Sequence, residues 1–217
     1  MCGIFGSINR DQYQALYELN KDRGSFAYGG MYLHKERGPI IQKTKGDSFQ
    51  FEDPYVDTEQ YYMGHTQGPT SAKRDFDPKT SHPFRFEEWY VAHNGVLSNS
   101  KVLAEEYEVC SPVDSAVIPK LISIKRLDAK DDVDAICKAL SELKGTFACW
   151  IYNEMSQEAY LVRSGSTLFA NNKGDFSSTE IGLMYPLKEG VVYCVDYDQS
   201  FIYPLAKFNY DSPFFIL

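Results

Sequence analysis

Runs of β-branched and aromatic residues, each closed off by Gly, Pro, Asn or Asp, fall into two blocks separated by helical sequence, and this order constrains the fold more than any other feature. The first block comprises 3–8, 26–34, 60–66 and 89–93; the second comprises 146–152, 160–163, 167–170, 191–195 and 201–205. Between them, Val133, Ile136, Cys137, Leu140 and Leu143 recur at helical spacing and predict a helix over 128–143, with Asp128 as its cap and Gly145 past its end. A second helix is predicted over 115–125, where Pro119 has to fall in the first turn if the helix is to stay straight. Weaker helical patches cover 12–19 and 101–107. Strands and helices in blocks, without strict βαβ alternation, argue for an α+β fold with mostly antiparallel sheets. Segments 43–58 and 73–79 read as surface loops.

The chain has 217 residues, enough for one large core, and no linker divides it, so residues 1–217 are expected to form a single domain. Charged residues make up 24% and apolar residues 43%, as in ordinary soluble proteins, and no apolar run approaches the 18 or so residues of a membrane span. The glycine-broken start lacks the basic leader of a signal peptide, which points to the cytosol. A net charge of −8 disfavours nucleic acid as a partner, because phosphate binding needs clustered Lys and Arg. The five cysteines are an odd, scattered set without a Cys-x-x-Cys pair, and the four histidines lack metal-ligand spacing, so neither a disulfide framework nor a metal site is expected. Neither G-x-G-x-x-G nor G-x-x-x-x-G-K occurs, so no nucleotide cofactor is expected.

Cys2 carries the sharpest chemistry. Removal of Met1 would leave one residue with both a thiol and a free α-amine, whose pKa of about 7.7–8.0 suits it to accept a proton near neutrality. Gly3 fits the same reading, since a residue without Cβ lets a substrate approach closely. A buried cysteine in a first apolar strand explains residues 1–6 equally well, so the rest of the chain must decide.

Small and polar residues interrupt the strand pattern at Arg23-Gly24-Ser25, at 64–70, at His93-Asn94-Gly95 and at Val113-Asp114-Ser115. Together with MCGIFG at 1–6, GHT at 64–66, SHPF at 81–84, GTFA at 145–148 and SSTE at 177–180, these motifs run in order along nearly the whole chain. In this the chain resembles the class II glutamine amidotransferases, a family of N-terminal-nucleophile enzymes. The resemblance implies a four-layer αββα sandwich and a Cys2 that attacks the glutamine side-chain amide, forming a thioester and releasing ammonia. It also implies an oxyanion hole from the Asn94 side chain and the Gly95 N–H, and an Asp114 that holds the substrate's α-ammonium. Thr66, Arg23 and His82 are further candidates for the substrate site. Locally, Asn94-Gly95 also reads as a hairpin turn, Asp114 as a helix cap, and His65 and His93 as satisfied strand histidines.

One position departs from the family pattern. Members usually follow GHT with an arginine that pairs with the substrate's α-carboxylate, whereas this chain has Gln67. Replacing a bidentate guanidinium by a neutral amide weakens carboxylate binding unless Arg23, Lys73 or Arg74 compensates. The first expectation is a glutaminase that feeds ammonia to a separate synthase. The alternatives are a cysteine amidase for another amide and a degenerate binding or regulatory homologue. The apolar tail over 210–217 reads equally as an interface element or a tucked strand.

Overall fold

The computed structural model describes residues 2–34, 37–46, 59–68 and 75–211. The expectations for Met1, for Lys73 and Arg74, for residues 47–58 of the expected loop at 43–58 and for the tail from 212 onward lie outside these residues.

The first sheet contains β1 (Gly3–Ser7), β2 (Ala27–His34), β3 (Gly38–Lys45), β4 (Glu59–Gln67), β9 (Phe169–Ala170), β10 (Phe176–Ser177) and β11 (Tyr185–Pro186), in the order β11-β9-β10-β1-β4-β2-β3. The second contains β5 (Phe84–Phe86), β6 (Trp89–Leu97), β7 (Gly145–Asn153), β8 (Glu158–Ser164), β12 (Val191–Asp196) and β13 (Phe201–Lys207), in the order β13-β12-β8-β7-β6-β5. The pairings between these strands are antiparallel, as expected.

Period-two alternation explains the layers. Ile4, Met31, Leu33, Tyr61 and Met63 face inward and meet Tyr90, Ala92, Ala148, Trp150 and Leu161 of the second sheet in the central core. Their neighbours Phe5, Tyr32 and Tyr62 face outward and bury against Tyr13, Leu16 and Tyr17 of α1 (Arg10–Asn20). On the far side, Trp89, Val91, Cys149 and Ile151 bury against α3 (Val117–Arg126) and α4 (Asp132–Leu140), with Leu103 of α2 (Ser100–Glu106) at the margin. Both sheets are therefore covered on both faces, giving the expected α+β sandwich of four layers, αββα.

Several boundaries differ from expectation. The fourth helix is capped by Asp131, whose side chain accepts from the Asp134 N–H, and begins at Asp132, so Asp128 is not its cap. Pro119 is the third residue of α3, where its missing N–H costs no intrahelical bond. Residues 43–45, read as loop, complete β3. Asn94-Gly95 lies within β6, opposite Ala148 and Phe147 of β7, so the hairpin-turn alternative falls.

Candidate active site

Cys2 leads into β1, which lies between β10 and β4 with Gly3 opposite Thr66 and Ile4 opposite His65. That register carries Gln67 and Gly68 past the end of β1 and beside Cys2. The Cys2 Sγ donates to the Gly68 carbonyl at 3.6 Å, and the Cys2 carbonyl accepts from Arg23 Nε at 2.9 Å. Cys2 is 6% exposed, and burial pushes its thiol above the ordinary value. Gly3 serves packing here rather than substrate approach: a Cβ would lie 2.8 Å from Thr66 Oγ1 and 2.9 Å from Asn20 Oδ1. Buried Asn20 gathers this corner, accepting the Thr66 hydroxyl at its carbonyl and donating through Nδ2 to Ser177 Oγ.

From the second sheet, β6 brings His93, Asn94 and Gly95 across to the same end. Asn94 Nδ2 donates to Ser178 Oγ at 3.2 Å, and that hydroxyl oxygen also accepts the Ile4 N–H at 3.0 Å. The Asn94 amide is thus tied to the strand that bears Cys2, while its second N–H is left for another acceptor. Gly95 has φ 151°, and a Cβ there would sit 2.0 Å from the Thr146 carbonyl oxygen, so glycine is required. Asp114 opens a 3-10 turn before α3, but its Oδ2 accepts the Leu97 N–H at 2.9 Å, so it braces the end of β6 rather than capping a helix.

A cavity of about 230 Å³ opens between these walls, lined by Cys2, Gln67 and Gly68 on one side and by His93, Gly95, Val113, Asp114 and Ser115 on the other, with His82 at its edge. Cys2, Gln67, His82, Gly95 and Asp114 of the expected site residues therefore share one cavity. Thr66, Arg23 and Asn94 lie behind its walls, with Thr66 and Arg23 engaged as above. The lining residues Gly68, Val113 and Ser115 fall within the interrupted segments at 64–70 and 113–115, which carry no predicted binding role for these three. Ser178 was visible merely as part of SSTE.

His65 and His93 are held by hydrogen bonds to the surrounding strands. His93 Nε2 faces the Thr146 carbonyl at 3.3 Å, so a neutral ring carries its proton there and Nδ1 accepts from Ser115 Oγ at 2.8 Å. Burial pushes this imidazole below its ordinary value. His65 Nε2 donates to the His93 carbonyl at 3.0 Å, and burial lowers its pKa to about 3. His82 stacks on His65 with ring centroids 3.8 Å apart. Its segment rests on β2, where a Cβ on Gly29 would lie 1.9 Å from the His82 carbonyl oxygen. Among the described residues no group of His, Cys, Asp and Glu could hold a metal ion, and no helix is long and apolar enough to cross a membrane.

No family model matches the chain. It is 26% identical over 221 residues to the glutamine–fructose-6-phosphate aminotransferase (isomerizing) of Oceanobacillus iheyensis, covering 97% of this chain and 36% of that protein. The Listeria monocytogenes protein of the same name is 28% identical over 203 residues, covering 87% of this chain and 33% of the relative. The chain thus spans about a third of the length of these curated relatives. Among solved structures, the glutamine phosphoribosylpyrophosphate amidotransferase of B. subtilis, complexed with ADP and GMP, aligns with a TM-score of 0.73 at 21% identity, over 96% of this chain and 49% of its own. A predicted glutamine amidotransferase from Pseudomonas aeruginosa aligns at 0.53 and 14% identity, over 94% of this chain and 95% of its own. These structures share the sandwich fold.

Proposed function

We propose that this chain, a class II, N-terminal-nucleophile glutamine amidotransferase domain, hydrolyses the glutamine side-chain amide through Cys2. The observation that carries this reading is the convergence of Cys2, the Gly95 backbone and Asp114 on one cavity. The buried thiol is held above its ordinary value, so it needs an adjacent base. His65 and His93 each commit Nε2–H to a carbonyl, and the Nδ1 of His93 is taken by Ser115. Removal of Met1 frees an α-amine on Cys2 itself, which accepts the thiol proton as Sγ attacks the amide carbon. The Asn94 Nδ2–H and the Gly95 N–H stabilise the resulting oxyanion. The C–N bond then breaks, the proton passes to the departing nitrogen, and ammonia leaves a γ-glutamyl thioester. Water cleaves the thioester, giving a carboxylate and restoring the thiol. Asp114 holds the substrate's α-ammonium.

The ammonia passes to a separate synthase in the cytosol. Residues 1–217 act as one glutaminase domain, without metal or cofactor in this hydrolysis. Glutamate release from glutamine, compared between wild type and Cys2→Ala, tests the reading, and equal release from both refutes it. Intact mass of the mature protein tests the base, since retention of Met1 removes the α-amine from the mechanism.

A further inference from the structure

Gln67 lies 3% exposed on the cavity wall beside Cys2, and its Oε1 has no hydrogen-bond partner among the described residues. Other buried amides nearby are engaged: Asn20 and Asn94 both donate to hydroxyl oxygens. An acceptor left bare in a buried wall is costly, so a bound molecule that supplies a donor there gains a hydrogen bond that water and protein do not provide. The cavity's charge is equally one-sided. Asp114 contributes a carboxylate, and no lysine or arginine is among the described lining residues. Arg23 directs its Nε to the Cys2 carbonyl and does not line the cavity.

Building on the glutaminase reading, we infer that the preferred substrate is a glutamine whose α-carboxyl is already in amide linkage, with its α-ammonium free. Free glutamine would bring a carboxylate against Gln67, presenting acceptors to an acceptor and burying a negative charge with no lysine or arginine among the described lining residues. Turning the Gln67 amide over offers a donor but still no positive charge. A substrate carboxamide matches Gln67 group for group: its N–H donates to Oε1 and its carbonyl accepts from Nε2. Asp114 takes the ammonium: its Oδ2 accepts the Leu97 N–H, and both oxygens retain lone pairs for more. The side-chain amide then reaches Cys2, and the reaction consumes one water and yields the γ-carboxylate and ammonia, leaving the α-amide untouched.

The test measures kcat/KM for L-glutamine and for L-glutamine α-methylamide, following the deamidated product by mass, with Cys2→Ala as background. The expected result is at least a tenfold preference for the methylamide in wild type, reversed in Gln67→Arg. Gln67→Leu, which loses the acceptor with little change in size, is expected to erase the preference should the arginine variant fail to fold. Cys2-dependent hydrolysis of both compounds without preference, or with preference for free glutamine, overturns this inference while leaving the glutaminase reading intact. Preference for free glutamine that vanishes in Lys73→Ala/Arg74→Ala would also overturn it, assigning the missing cation to that segment. Absence of Cys2-dependent hydrolysis of either compound refutes both.

Discussion

The wall contributed by the second sheet is braced by hydrogen bonds, whereas the wall contributed by the first is left open where a ligand would touch it. Asp114 is fixed by the Leu97 N–H, Ser115 by His93, and His93 by the Thr146 carbonyl. On the opposite side, the Cys2 thiol has a long contact with the Gly68 carbonyl, and Gln67 Oε1 has no partner among the described residues. Groups that hold a substrate in register gain from being locked in advance, because the ordering cost is met on folding. Groups that react with it or discriminate among ligands have to keep bonding capacity unused. The division assigns orientation and the oxyanion donors to β6 and the Asp114 turn, and the nucleophile and choice among ligands to the ends of β1 and β4.

Substitutions can break this division in graded steps. Cys2→Ala is expected to lower amide hydrolysis by about 10⁴-fold or more with unchanged thermal unfolding, measured as ammonia release and a melting curve. Asn94→Ala should lower kcat by roughly 10²–10³-fold through loss of one oxyanion donor; an effect confined to KM would place Asn94 in ground-state binding instead. Asp114→Asn keeps an oxygen for the Leu97 N–H but loses the charge, so KM is expected to rise on the order of 10- to 100-fold, with a smaller change in kcat. A substrate lacking the α-ammonium should show no difference between wild type and this variant.

The smallest effect concerns acid. His65 has a folded pKa of about 3 against 6.5 when unperturbed, because burial disfavours its charged form. The unfolded chain therefore binds the extra proton first, and the contribution to stability is present above pH 6.5 and is lost as pH falls towards 3. One such group tilts stability by at most about 1.4 kcal/mol per pH unit. Denaturant unfolding at pH 7 and pH 5 should show a shallower acid loss in His65→Gln than in wild type, and equal slopes would show that His65 is not the sensitive group.

The main strands were legible because inward and outward residues alternate and breakers bound them, as at 60–66 and 191–195. β3 escaped because it is an edge strand whose residues are half-buried or exposed throughout, so no face repeats. The two-residue strands at 169–170, 176–177 and 185–186 are too short for a period, and the first of these was seen merely as part of a longer run. Four aspartates between 128 and 134 offered competing caps for α4, and the tertiary position of the helix chose Asp131. At the site, the motifs identified Cys2, Gly95 and Asp114, which do meet at the cavity. What local sequence did not contain was long-range pairing: Asn94-Gly95 resembles a turn until β7 takes its partner positions, and Asp114 resembles a cap until the Leu97 N–H claims it. The unused acceptor on Gln67 is likewise visible solely in three dimensions.

Gly29, the third residue of β2 and separated in sequence from every residue lining the cavity, carries the His82 backbone directly on its own. A single methyl at that position would act as a wedge, lifting the 81–83 segment and unstacking His82 from His65. The width of the reactive cleft is therefore governed in part from underneath, by a strand that offers it no functional group, and an engineer seeking to admit a bulkier amide has a control point there that leaves nucleophile, donors and carboxylate untouched.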